Sequence, residues 1–119
     1  MALVTEIYKL SANFPKSETY GLTAQVRKAA VSIPSNIAEG KGRDSKKEYV
    51  MFLYWARGSL LETETQAEVA LNLEYISREA FEMIFEQCAG VGRVLNGLIK
   101  SIERQIQRSP KSQEPRPKT

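Results

Sequence analysis

The 119-residue chain contains no histidine and one cysteine, Cys88. Without histidine there is no Ser/His or Cys/His catalytic pair, no histidine-ligated zinc, and none of the Glu-x-x-His pairs that hold di-iron centres in helical bundles. A lone cysteine forms no intramolecular disulfide. No apolar run approaches the ~20 residues that cross a bilayer. The opening MALVTEIYKL sets Glu6 and Lys9 inside its apolar pattern and lacks the basic start of a secretory signal. A cytoplasmic protein with no membrane partner is therefore expected. An enzyme built from this chain would have to work with carboxylates, lysine, tyrosine or one thiol, through a metal on Glu39, Glu62 and Glu64 or a reactive tyrosine. The expectation is no enzymatic activity, no catalytic residue, no cofactor and no metal.

What is present is charge in blocks. Residues 16–57 carry eight Lys/Arg against four Asp/Glu, residues 58–92 seven Glu against Arg78, and residues 93–108 four Lys/Arg against Glu103. Opposite blocks can neutralise each other as neighbouring helices, or the basic block can form a free surface for nucleic acid.

The apolar positions step in threes and fours throughout, with no strand-like alternation. Leu3, Ile7, Leu10 and Phe14 make one helical face, closed by Pro15. Ser17 is a candidate cap for the next helix. There, Leu22, Val26, Ala29/Ala30, Ile33 and Ile37 keep phase through Pro34, which predicts one helix kinked at Pro34 in preference to a helix–turn–helix. Gly40 and Gly42 read as helix stops, and SKKE at 45–48 as a capping box. The segment GKGRDS is thus a tight turn. It lacks the G-x-x-x-x-G-K-[ST] order of a P-loop.

The third helix, from about Ser45 to Leu73, begins with YVMFLYWA, apolar on every side, so it is either buried on several sides or packed against another subunit. Its later half places Glu62, Glu64 and Glu68 close together, either as a solvated acidic face or as a divalent-metal site. Ser77 caps the fourth helix. Its seam runs through Phe81, Ile84, Cys88, Val91, Leu95, Leu98 and Ile102. Cys88 on that seam reads as a buried apolar side chain. A second stripe, Phe85, Ala89, Gly92, Ile99 and Ile106, suggests subunit packing. Residues 109–119, SPKSQEPRPKT, read as a disordered tail. The fold expected over 1–108 is all-α, an antiparallel up-down four-helix bundle.

The segment FPKSETYGLTAQVRKAAVSIPSNIAEGKGRDSKKEY resembles the signature region of the four-helix-bundle proteins encoded in intervening sequences of bacterial 23S rRNA genes, the S23 ribosomal protein family; ARGSLLETETQ and EYIS match as well. The resemblance covers roughly residues 2–108 and implies the same fold. It also implies kinship with the accessory variability protein of diversity-generating retroelements, a homopentameric ring that binds nucleic acid and a reverse transcriptase. Implied partners are therefore further copies of the chain, RNA or DNA, and a nucleic-acid-processing protein.

The expected RNA contacts are Arg27, Lys28, Lys41, Arg43, Lys46 and Lys47, with Arg93, Lys100, Arg104 and Arg108 secondary. Binding would follow shape and charge, because no aromatic platform is evident and Trp55 falls on a packing face. The alternative is a protein–protein scaffold whose basic block is paired with its acidic one. Asn36, Glu39, Glu62, Glu64 and Thr65 form either a buried polar network or exposed surface.

Overall fold

The structure, a computed structural model, describes residues 1–108; the expectation for the 109–119 tail lies outside them. Four α-helices follow in order: α1 Ala2–Ser11, α2 Leu22–Lys41, α3 Lys46–Asn72 and α4 Arg78–Arg108, with a short 3-10 turn at Lys16–Glu18. Each helix runs antiparallel to the next. α2 and α4 each touch both α1 and α3, whose backbones face one another across the core from opposite corners. This is an all-α four-helix bundle.

The core is the merging of the apolar stripes. Leu3 and Ile7 of α1, Val26, Ala30 and Ile33 of α2, Leu53, Ala56, Leu60 and Ala67 of α3, and Ile84, Cys88, Leu95, Ile99 and Ile102 of α4 are buried in one cluster. α2 is unbroken through Pro34, as the retained phase predicts. Ser32 Oγ donates to the carbonyl of Ala29, and Asn36 Nδ2 to that of Ser32, at 2.9 Å each.

Two local readings change. Ser17 does not cap α2. Gly21 holds the cap position, and the Leu22 N–H donates to the Glu18 carboxylate at 3.1 Å. Nor does Gly40 stop the helix: α2 continues to Lys41, and neither Gly40 nor Gly42 has a positive φ. Gly40 is there for close approach, since a Cβ on it would stand 2.6 Å from Phe52 Cβ and 3.0 Å from Tyr49 Cδ1 of α3. Ser45 does cap α3, accepting from the Glu48 N–H at 3.0 Å, while its hydroxyl donates to the Glu48 carboxylate at 3.2 Å.

The far end is locked by the same Glu18. Tyr75, in the α3–α4 connection, donates its hydroxyl to Glu18 Oε2 at 2.8 Å and packs on Phe14 at 5.5 Å between centroids. The hydrogen bond to Glu18, with burial and the Glu18 charge behind it, pushes the Tyr75 phenol above its ordinary value. A raised folded-state value favours the neutral phenol. Its stabilising contribution is present below the free phenol's pKa and is lost as pH rises through the folded value. Carbon-13 NMR of labelled tyrosine should find Tyr75 titrating later than an ordinary phenol, and Glu18→Gln should move it back down.

α1 has 10 residues and α4 has 31. At ~1.5 Å per residue, α1 covers only about a third of the length of α4. The particle is correspondingly elongated, 51 × 27 × 18 Å.

Candidate nucleic-acid interface

The α2–α3 turn gathers basic side chains for local reasons. Lys41 lies in the last turn of α2, where the helix dipole favours a cation. Arg43 follows the Gly42 cap and lays its guanidinium 4.7 Å from the centre of the Phe52 ring. Lys46 and Lys47 open α3, where the dipole disfavours cations; Glu48 in the same turn offsets part of that cost.

Antiparallel packing then carries the C-terminal turns of α4 to the same end. Tyr54 donates to Glu103 at 3.1 Å, Arg57 donates to Asn96 at 3.0 Å, and Lys47 and Val50 share a surface cleft with Glu103, Ile106 and Gln107. Lys100, Arg104 and Arg108 therefore join Lys41, Arg43, Lys46 and Lys47. This end holds seven Lys/Arg against Glu39, Asp44, Glu48 and Glu103. All seven are exposed except Lys46, which is half-buried. Among the described residues the one ion pair is Lys9–Glu6, at 3.9 Å. The acidic block, from the later half of α3 into α4, lies toward the other end. The cations of the α2–α3 turn and of the last turns of α4 are separated along the axis from the acidic block, and among the described residues no ion pair joins the two.

Two of the six expected contacts lie elsewhere. Arg27 ties α2 to α1: its Nε donates to Ser11 Oγ at 2.7 Å, its Nη2 donates to the Tyr8 carbonyl at 3.1 Å, and its guanidinium stacks 4.6 Å from the Tyr8 ring centre. Lys28 is some 20 Å down α2 from Lys41 at the usual helical rise. It lines a polar cleft of about 490 Å³ with Gln25, Ser32, Ser59, Glu62 and Gln66. Arg93 is exposed midway along α4, near Gly90.

Of the two alternatives for Asn36, Glu39, Glu62, Glu64 and Thr65, the buried network does not form. Asn36 is spent on the Ser32 carbonyl, and Glu39, Glu62 and Thr65 are exposed. The polar link between α2 and α3 is instead a hydrogen bond between two hydroxyls, with Ser59 Oγ donating to Ser32 Oγ, whose own proton goes to the Ala29 carbonyl. Among the described residues no three His, Cys, Asp or Glu side chains stand close enough to hold a metal ion. Glu64 is half-buried, and burial pushes its carboxyl up. Cys88 is fully buried; burial first, then the nearby Glu64 charge, pushes its thiol up to about 12. A disulfide reagent at pH 8 should leave Cys88 unlabelled in the native protein and label it fully in denaturant.

Trp55 does not pack into the core of the chain. It is 51% exposed on the outer face of α3, edge-on to Phe52 at 4.9 Å between centroids. Four residues of the apolar YVMFLYWA run, Val50, Phe52, Leu53 and Ala56, are buried, while Met51, Tyr54 and Trp55 face outward. Of the second stripe on α4, Ile99 is buried and a Cβ on Gly92 would lie 3.5 Å from Leu60 of α3, while Ala89, Gly92 and Ile106 are half-buried and Phe85 is exposed.

The profile of the 23S rRNA-intervening sequence proteins matches residues 1–97. The chain belongs to that family. A crystal structure from Bacteroides thetaiotaomicron, of an S23 ribosomal protein family member with unknown function, superposes with a TM-score of 0.72 at 27% identity, covering 82% of this chain and 88% of that one. No protein of curated function matches the sequence. Among the described residues no helix is long and apolar enough to cross a membrane.

Proposed function

We propose that this family member is a non-enzymatic, cytoplasmic, self-associating bundle that binds structured RNA, or another nucleic acid, through the basic end of the bundle. One observation carries the reading. Seven Lys/Arg from two segments distant in sequence converge on one end, and none of them is in an ion pair among the described residues. Phosphate neutralisation by such groups supplies sequence-independent affinity. Lys41, Arg43, Lys46 and Lys47 are the primary contacts, and Lys100, Arg104 and Arg108 extend the surface. Repeating this end around an oligomer, a homopentamer by the resemblance drawn above, multiplies a weak single-copy attraction. Arg27 and Lys28 are set aside, the first because its Nε and Nη2 are bonded to α1, the second because it lies apart.

The exposed apolar face of α3 favours a second reading, an adaptor that holds a nucleic-acid-processing protein without touching nucleic acid itself. Fluorescence anisotropy with a structured rRNA fragment and a DNA duplex, across a salt series, separates the two. The first reading expects log Kobs to fall by about 0.7–0.9 per unit of log salt for each phosphate contacted, hence a slope of about −3 or steeper for four contacts. No binding at low salt by an intact assembly leaves the adaptor.

A further inference from the structure

The basic end holds one carboxylate that its cations leave alone. Glu103 stands on α4 between Lys100 and Arg104 in the chain and shares a cleft with Lys47 of α3, yet among the described residues it is in no ion pair. It is half-buried, and Tyr54 of α3 donates its hydroxyl to Glu103 Oε2 at 3.1 Å. A carboxylate accepts about four hydrogen bonds, so one from Tyr54 orients the group and leaves most of its capacity for a ligand. A surface that only gathered phosphate would gain nothing from an oriented carboxylate in its middle, because the two repel.

The cleft that Glu103 lines has a volume of about 420 Å³, within the range of small-ligand sites. Val50 and Ile106 give it aliphatic walls, and Lys47, Glu103 and Gln107 give it polar groups. Helical spacing explains the placement. Lys47, Val50, Tyr54 and Arg57 step by three, four and three along one side of α3, and Asn96, Lys100, Glu103 and Gln107 by four, three and four along one side of α4. The Arg57–Asn96 and Tyr54–Glu103 hydrogen bonds join the two rows toward the middle of the bundle. The cleft lies beyond them, at the basic end.

This lining matches the pairing edge of one base. Guanine presents N1–H and its N2 amino group side by side, two donors for one carboxylate, with O6 next to them as an acceptor for an ammonium. Adenine and cytosine set a single amino donor beside a ring-nitrogen acceptor, which a carboxylate repels. Uracil offers one N–H between two carbonyls. The guanine atoms concerned are occupied in a duplex and free in loops and bulges, where RNA is read by sequence. We infer that the cleft takes an unpaired guanine of the bound RNA, with Glu103 accepting from N1–H and the N2 amino group, Lys47 donating to O6, and the base lying against Val50 and Ile106. The inference rests on the proposed function and deepens it: the cations of this end supply affinity for phosphate, and the cleft selects which nucleotide is seated.

The experiment uses the full chain and RNA hairpins identical except at one loop position, which carries G, A, C, U or inosine, a guanosine lacking the N2 amino group. Anisotropy at one fixed salt concentration should find the loop-G hairpin bound about ten-fold or more tightly than those with A, C or U, and the inosine hairpin in between. This series needs no variant and stands whether or not a substituted protein folds. Glu103→Gln, checked by circular dichroism, should level the five affinities and leave the salt slope unchanged, because the carboxylate touches no phosphate. Equal affinity for the G and A hairpins in the parent, or a preference that survives Glu103→Gln, would overturn the inference and leave phosphate binding standing. No binding of any hairpin at low salt would overturn both. Free GMP should displace the loop-G hairpin only weakly, since it brings a single phosphate; GMP binding as tightly as the hairpin would assign the cleft to a free guanine nucleotide and overturn its part in RNA recognition.

Discussion

Changing Lys41, Arg43, Lys46 and Lys47 together to glutamate should abolish RNA binding, with a loss of about 1,000-fold or more at low salt and a salt slope reduced by about four. The substitutions turn the basic end from seven Lys/Arg against four acids into three against eight. The fold should survive. None of the four is in an ion pair among the described residues, and three are exposed. The contact given up is that of Arg43 with the Phe52 ring, worth about 1 kcal/mol. Removing cations from the first turn of α3 relieves an unfavourable dipole interaction there. Lys28→Glu is the control; it lines a different cleft and should leave affinity near that of the parent. Unchanged affinity in the quadruple variant would remove the basic end from the functional reading.

The largest effect on stability is expected at Gly40. Alanine in an exposed helix interior gains up to about 1 kcal/mol over glycine. At Gly40 that gain is outweighed. The added Cβ would lie 2.6 Å from Phe52 Cβ, an atom at the base of its side chain, and 3.0 Å from the Tyr49 ring. α2 and α3 would have to part at the most extensive helix contact in the fold. Overpacking of this kind costs about 1–3 kcal/mol, or roughly 3–15 °C in Tm for a domain of this size. Gly42→Ala, two residues on, should be nearly neutral. Gly42 has φ −83°, and its Cβ would meet nothing closer than a carbonyl oxygen at 3.6 Å. Equal melting of the two variants would show that Gly40 is not needed for close approach.

These glycines illustrate what a sequence can express. Both read as helix stops, because Gly-x-Gly before a polar run is a common end signal. Whether a glycine is chosen for its own backbone or for a neighbour's side chain depends on what stands opposite, and Phe52 is twelve residues away along the chain. Arg27 is similar. It reads as one more cation in a basic block, while its role is set by Ser11 and Tyr8 of α1. Trp55 reads as a packing residue within an unbroken apolar run, against the core or against another subunit, because eight such residues in a row carry no period to say which of them face out.

The sequence by itself determined the helices, the unbroken passage through Pro34, the capping role of Ser45, the burial of Cys88 and the family, since each rests on local periodicity, short-range hydrogen bonding or a contiguous signature. Only the tertiary structure decided which charges share a surface. Antiparallel packing brought the last turns of α4 to the α2–α3 turn and left Arg27 and Lys28 behind. It also decided which apolar side chains face out, leaving Trp55 on the outer face of α3. Each of these depends on which residues pack across the bundle, which no stretch of one helix records.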